Sequence, residues 1–273
     1  MFNFKNIIIT AAFVLGAGTA IAQDKAAPLT IAAGMQGGGY DQFAQNMAVR
    51  LAQRGYSAVT VTNNNGSDAI TLAACNDKAD VAITQIDAIF ARFQEGCNLT
   101  PVADYGIEYA IILFPPKSDD YKLRHLTATD HVAVDGIGSG TELFWKTIVA
   151  IDNGDNGDKA NWSKAVPVES SPDQLNTMAN FGDIQAAILV RKTDSKDITM
   201  LLEQGWTIGE MWAGDIDNQQ FNNKPLYEST ESKFVYSGGS VSNYAYAVRS
   251  FVVVSKAHAT DRAYKMDISK SIN

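Results

Sequence analysis

Three glycine-rich turns carry the residues in this chain best suited to chemistry, and each follows an apolar run and precedes a segment with helical spacing. They are Gly37-Gly38-Gly39-Tyr40, Asn63-Asn64-Asn65-Gly66-Ser67 and Ser139-Gly140-Thr141. Glycine lets a backbone approach a bound molecule closely, Tyr40 offers a flat wall with a hydroxyl, and the first N–H groups of a helix have no intrahelical partner. Gathered together, such amides and hydroxyls suit a carboxylate or another oxyanion. Gln85 and Asp87 follow the run VAIT and are expected at the same end of a strand, where they would hydrogen-bond polar groups of a ligand. Taken singly, each turn also has a plainer explanation: a glycine for positive φ, a Ser or Thr as helix cap, Asp87 as a cap. Recurrence of the pattern in both halves of the chain favours binding. Lys146, Arg191 and Arg249 are candidate charge partners for an anion, and Tyr236-Ser237-Gly238-Gly239 is a candidate for the hinge side of a cleft.

The same residues argue against catalysis. The residue two before Ser139 is Ile137, so there is no G-x-S-x-G elbow, and neither a phosphate loop nor G-x-G-x-x-G occurs. The histidines, His125, His131 and His258, are scattered and share no ligand spacing with a cysteine. No enzyme activity, metal or other cofactor is expected.

The turns need elements to hold them. LTIAAG, SAVTVT and ADVAIT read as strands, each leading through its turn into a helix, and HVAV with GTELFWKTIVA repeats the unit in the second half. Strand and helix in alternation imply a mostly parallel sheet with helices on its faces, and such sheets bind ligands outside the carboxyl ends of their strands. YGIEYAIILF, closed by Pro115-Pro116, is a long apolar strand after which the chain crosses to a second lobe. It returns near Phe234, before the apolar run SFVVVS. The expected fold is therefore α/β and two-lobed, with the ligand cleft between lobes. Residues 23–118 with 234–273 form lobe I, and residues 119–233 form lobe II.

The first residues address the chain. Lys5, an apolar run from Ile7 to Gly16 and Ala20-Ile21-Ala22 form an export signal, residues 1–22, cut before Gln23. Its apolar core is shorter than the roughly 20 residues a membrane helix requires. The remaining 251 of 273 residues are expected to be periplasmic and not membrane-spanning. A net charge of −8 disfavours nucleic acid as a partner. Cys75 and Cys97 enter an oxidising compartment, where a disulfide between them is the leading reading and two buried thiols the other.

In its ordered motifs the chain resembles the TAXI family, the extracytoplasmic solute-binding proteins associated with TRAP transporters. TIAAGMQGGGYDQFAQNMAVRLAQ looks like the family's opening strand, glycine turn and helix. NNNGSDAITLAACNDKADVAITQIDAIF looks like its ADxAIxQxD segment, and VAVDGIGSGTELFWKTIV like its GSGTE strand-turn-helix. The resemblance implies a two-lobed periplasmic receptor that delivers a small organic anion or an amino acid to the membrane subunits of a TRAP permease. By position it implies ligand contacts at Gly39, Tyr40, Gly66, Ser67, Gln85, Asp87, Ser139, Gly140 and Thr141. Departures from the pattern are Asp41 after a single aromatic, and Asn273 standing soon after the last strand, where the family leads one to expect further helices on the first lobe. A stand-alone sensor that presents its ligand to a membrane signalling protein would read the same way.

Overall fold

The computed structural model describes Lys25 and residues 27–272; the export signal lies outside the described residues. In the first half, β1 (Leu29–Ala33), β2 (Val59–Asn63) and β3 (Val81–Gln85) each lead into a helix: α1 (Gly39–Gln53), α2 (Gly66–Cys75) and α3 (Ile86–Gln94). In the second half, β5 (His131–Val134) leads to α4 (Gly140–Asn153), β6 (Val166–Glu169) to α5 (Leu175–Phe181), and β7 (Ala186–Arg191) to α6 (Lys196–Glu203). Two long strands lie between these sets: β4 (Thr100–Phe114), and β12 (Gly239–Val254), which is reached after the short β8 (Thr207–Ile208), α7 (Gly214–Asn218), β9 (Gln220–Phe221), β10 (Lys224–Pro225) and the hairpin strand β11 (Glu228–Tyr236). Helix α8 (Arg262–Lys270) ends the described chain.

One continuous sheet runs β2-β1-β3-β12-β4-β7-β5-β6, with β11 on β12 and β8 on β4. The pairs β1–β2, β1–β3, β5–β6 and β5–β7 are parallel. The pairs β3–β12, β12–β4 and β4–β7 are antiparallel. Three reversals between β3 and β7 leave the two parallel sets pointing in opposite directions. They also sit at different places along the central pair, since β3 pairs with Ser250–Val254 of β12 and β7 with Tyr109–Leu113 of β4. The carboxyl ends of both sets therefore face the junction between the halves, and their strand-to-helix turns converge there.

Each half has its own core, as the strand composition demands. Every residue of VAITQ in β3 is buried, and so are Ala186 to Val190 of β7, as expected of parallel strands covered on both faces. Ile31, Met47, Leu51, Ile83, Val252 and Tyr264 pack together in the first half. Phe144, Trp145, Trp162, Tyr227 and Tyr246 dominate one side of the second half. On its other face, Ile111, Leu189, Leu201, Trp206 and Phe234 pack together. Fully burying side chains of this size contributes roughly 1.5–3 kcal/mol each. A disulfide joins Cys75, the last residue of α2, to Cys97, with Cα atoms 5.7 Å apart. It fastens α2 to the segment between α3 and β4.

Candidate functional site

On the first half, the turn after β1 is shaped by Asp41. Its carboxylate accepts the Gly37 N–H at 2.7 Å, Asn63 Nδ2 at 2.9 Å and Gln45 Nε2 at 3.2 Å, and these donors hold its carboxyl below the usual range. Asp41 thus has a structural role, pinning the glycine turn to the end of β2. Gly37, at φ +79°, makes the bend that allows this. The N–H groups of Gly39, Tyr40, Ser67 and Asp68, at the starts of α1 and α2, meet no acceptor among the described residues.

Behind these amides lies a chain of hydrogen bonds centred on Glu108 of β4. Its Oε2 accepts Tyr40 Oη at 3.1 Å and Gln85 Nε2 at 3.0 Å; Ser67 Oγ donates to Gln85 Oε1 at 3.2 Å. Ser250 Oγ lies 2.7 Å from Tyr40 Oη and donates to it, because the single Tyr40 proton is given to Glu108. Burial, and then the Glu108 charge, raise the Tyr40 hydroxyl well above its ordinary pKa, so it remains a donor.

On the second half, Ser139 caps α4 by accepting the Glu142 N–H at 3.1 Å, while Glu142 reaches back to the Gly138 N–H at 2.8 Å. Thr141 is a strut: its hydroxyl donates to Asp135 Oδ2 at 2.6 Å and accepts the Val190 N–H at 3.0 Å. Arg191 forks onto both oxygens of Asp135 at 2.9 and 3.2 Å and donates through Nε to Asp197 at 2.8 Å. Burial works to lower the Arg191 pKa, but the two carboxylates outweigh it and the net direction is up. The N–H groups of Gly140 and Thr141 meet no acceptor among the described residues.

The halves touch at their turns. A Cβ on Gly66 would stand 1.7 Å from the Gly138 carbonyl oxygen, and one on Gly140 would stand 2.1 Å from Gln85 Oε1. Only glycine permits the approach at Gly66, which also has φ +82°. The convergent turns enclose a cavity of about 1160 Å³ whose lining includes Gly39, Tyr40, Gly66, Ser67, Gln85, Ser139, Gly140 and Thr141.

Asp87 is the exception among the nine expected contacts and does not line the cavity. Strand β3 ends at Gln85 and α3 begins at once, so Asp87 falls on the inner side of the first helical turn. It is 0% exposed, accepting the Ala88 N–H at 2.9 Å and the Tyr227 hydroxyl at 3.4 Å, and burial pushes its carboxyl up to about 7. The other weighed residues are elsewhere or occupied. Lys146 pairs with Glu142 at 2.6 Å and Arg249 with Asp104 at 2.9 Å, and neither lines this cavity. Tyr236 packs into the second-half core, with Ser237 on Glu203. Glu108, Tyr105, Asp135 and Lys192 line the cavity without having been singled out from the sequence. Glu108 left one signal, a lone charge inside the apolar run YGIEYAIILF.

Comparison with solved structures places this architecture. The aliphatic sulphonate binding protein SsuA of Escherichia coli is 14% identical, with 90% of this chain and 68% of that one aligned and a TM-score of 0.53. XAC2383 of Xanthomonas citri, solved with ATP, is 12% identical, with 89% of this chain and 81% of that one aligned and a TM-score of 0.54. The fold is that of a two-lobed periplasmic binding protein. No protein-family profile matches the chain, and no curated protein matches it in sequence. The periplasmic-binding-protein fold accounts for the convergent turns, since its two lobes face each other across a cleft. Among the described residues no helix is long and apolar enough to cross a membrane.

Proposed function

We propose that this protein is an extracytoplasmic solute-binding protein that closes its two lobes over a small organic anion or amino acid and delivers it to a membrane permease. The observation that carries the reading is the cavity between the halves, into which the starts of α1, α2 and α4 bring unpaired N–H groups. Such amides bind an oxyanion without reorganising, and burying the ligand against both lobes favours the closed arrangement by the difference in contacts it makes there. SsuA binds sulphonates and XAC2383 was solved with ATP; ligands with oxyanion groups in proteins of this fold agree with the reading. The motif resemblance to the TAXI family supports a permease of the TRAP type, with Gly39, Tyr40, Gly66, Ser67, Gln85, Ser139, Gly140 and Thr141 forming the site.

A thermal-shift screen of the mature protein, stripped of carried-over ligand by unfolding and refolding, tests this. A ligand that binds only the folded state raises stability by RT ln(1 + [L]/Kd). One compound class should give a saturable shift that is reduced in Gly66→Ala, which obstructs closure at a modest cost in stability. A folded protein that answers to no organic acid, amino acid or related solute would refute the reading.

A further inference from the structure

Three places outside the hydrogen-bonding amides invite a further function: the groove behind the interlobe contact, the buried Asp152–Asp215 pair, and the charges of the cleft itself. The groove between α3 and α4, about 760 Å³, has its cations committed, Arg92 to Asp68 and Glu95 and Lys146 to Glu142. Asp215 lacks hydrogen-bond partners for both oxygens, but no group of three or more metal-ligating side chains gathers there among the described residues. The cleft charges carry the argument furthest.

Five carboxylates line the cavity, those of Glu108, Asp135, Asp197, Glu169 and Asp194, against the cations Arg191 and Lys192. Arg191 is no free anion receptor. Four of its five N–H donors go to Asp135, Asp197 and the Val190 carbonyl, and the group it forms with the two carboxylates keeps one net negative charge. Lys192 is exposed at the rim, its ammonium 4.9 Å from the Tyr105 ring centre and 3.5 Å from the Tyr105 hydroxyl. Deeper in, Glu108 is held by Tyr40 and Gln85 through Oε2 alone. Its Oε1 has no partner among the described residues and is not sealed in the core. Exposed charges are screened within about 8 Å at physiological salt, and the Asp197 side chain is itself 41% exposed, so Glu108 is the chief uncompensated charge of the interior.

We infer that the cleft selects amine-bearing solutes, zwitterionic or cationic, whose ammonium pairs with Glu108 Oε1 while the helix-start amides take an oxyanion where one is present. This rests on the receptor reading above and narrows its ligand class. The helix-start amides compensate one negative group. A second one would be enclosed beside Glu108 and the Asp135–Arg191–Asp197 group with no uncommitted interior cation, the arrangement by which binding sites reject wrong ligands. Dicarboxylates and acidic amino acids are therefore excluded, and Glu108 is the residue that determines the selection.

The test is calorimetric titration of the ligand-stripped protein with six-carbon probes that differ in the number and position of their ammonium and carboxylate groups: norleucine, 6-aminohexanoate, 1,6-diaminohexane, hexanoate and adipate. At least one amine should bind, with adipate and hexanoate weaker by at least about tenfold, the value of one hydrogen bond to a charged group. Glu108→Gln should remove most of that discrimination. The wild-type ranking needs no variant, and Glu108→Asp, which keeps the charge, should restore part of the preference if Glu108→Gln folds poorly. Adipate or hexanoate binding as well as any amine, with Glu108→Gln unchanged, would overturn the charge selection and leave the receptor reading standing. No binding by these probes or by wider sets of amines and organic acids would overturn both.

Discussion

Asp87→Asn should stabilise the protein at neutral and alkaline pH, by an amount that the burial of Asp87 fixes. The carboxyl rises from 3.8 to about 7, because burial penalises its charged form more than the Ala88 N–H and the Tyr227 hydroxyl support it. Its folded-state pKa thus lies above the unfolded one, so the folded chain retains a proton that the unfolded chain has released. The contribution is fully present below about pH 4 and is lost as pH rises to 7. At 1.36 kcal/mol per pKa unit, the ionised carboxylate costs the native state about 4 kcal/mol above pH 7. Asparagine keeps the shape and carries no charge, so its advantage over aspartate should widen by about 3 kcal/mol between pH 5 and pH 8. Urea denaturation at the two pH values, followed by tryptophan fluorescence, reads this as a midpoint gap that grows by roughly 1 M for a slope near 3 kcal/mol/M. Asp215, whose carboxyl is also raised, by burial and then by Asp152, is common to both proteins and cancels in the difference. A gap that is the same at both pH values, or a variant less stable at pH 8, would refute the account of Asp87 as a buried carboxyl.

Three other outcomes follow from the structure. Gly66→Ala puts a methyl group where the Gly138 carbonyl stands and adds a positive-φ strain of about 1–3 kcal/mol; its melting point should fall modestly and its ligand affinity by at least about tenfold, read by calorimetry with any probe found in the screen. Replacing both Cys75 and Cys97 with serine opens a link spanning 22 positions and should cost about 3 kcal/mol in urea unfolding, and an unchanged midpoint would refute that. Intact mass of the protein recovered from a bacterial periplasm should correspond to a chain beginning at Gln23, whereas retention of residues 1–22 would refute cleavage after Ala22.

The parallel strands and their helices were legible because their signals are local. VAI and AAILV are continuous apolar runs, and the turns after β1, β2 and β5 combine glycine with a helix start, so their convergence followed from the fold class. The pairing of β4 with β12 was not legible. A 15-residue strand that pairs with a 16-residue one encountered more than a hundred positions later is specified by non-local contacts, and the polar alternation of ESTESKFVYSGGSVSNYAYAV hid the β11–β12 hairpin. At the site, the backbone amides could be anticipated from glycine and cap chemistry, but the commitments of the side chains could not. Thr141, Ser67 and Gln85 spend their polar atoms on Asp135, Val190, Glu108 and one another. Asp87 turned inward because α3 begins immediately after β3, a difference of one residue that spacing does not resolve.

The pairing of β4 with β12 also determines the mechanics of any opening. Two unpaired linkers would behave as slack threads, resisted only by entropy and free to swing through wide angles. Here the halves are connected by a hydrogen-bonded ribbon from Thr100 opposite Val254 to Ala110 opposite Tyr246, so separating them means flexing a leaf spring whose restoring force comes from its own ladder. The ladder is already out of register between Ser250 and Phe251 and between Val252 and Val253, where a bend breaks the fewest bonds. Amplitude and recoil are then properties of strand length and bulge position, and lengthening a surface loop would leave both unchanged.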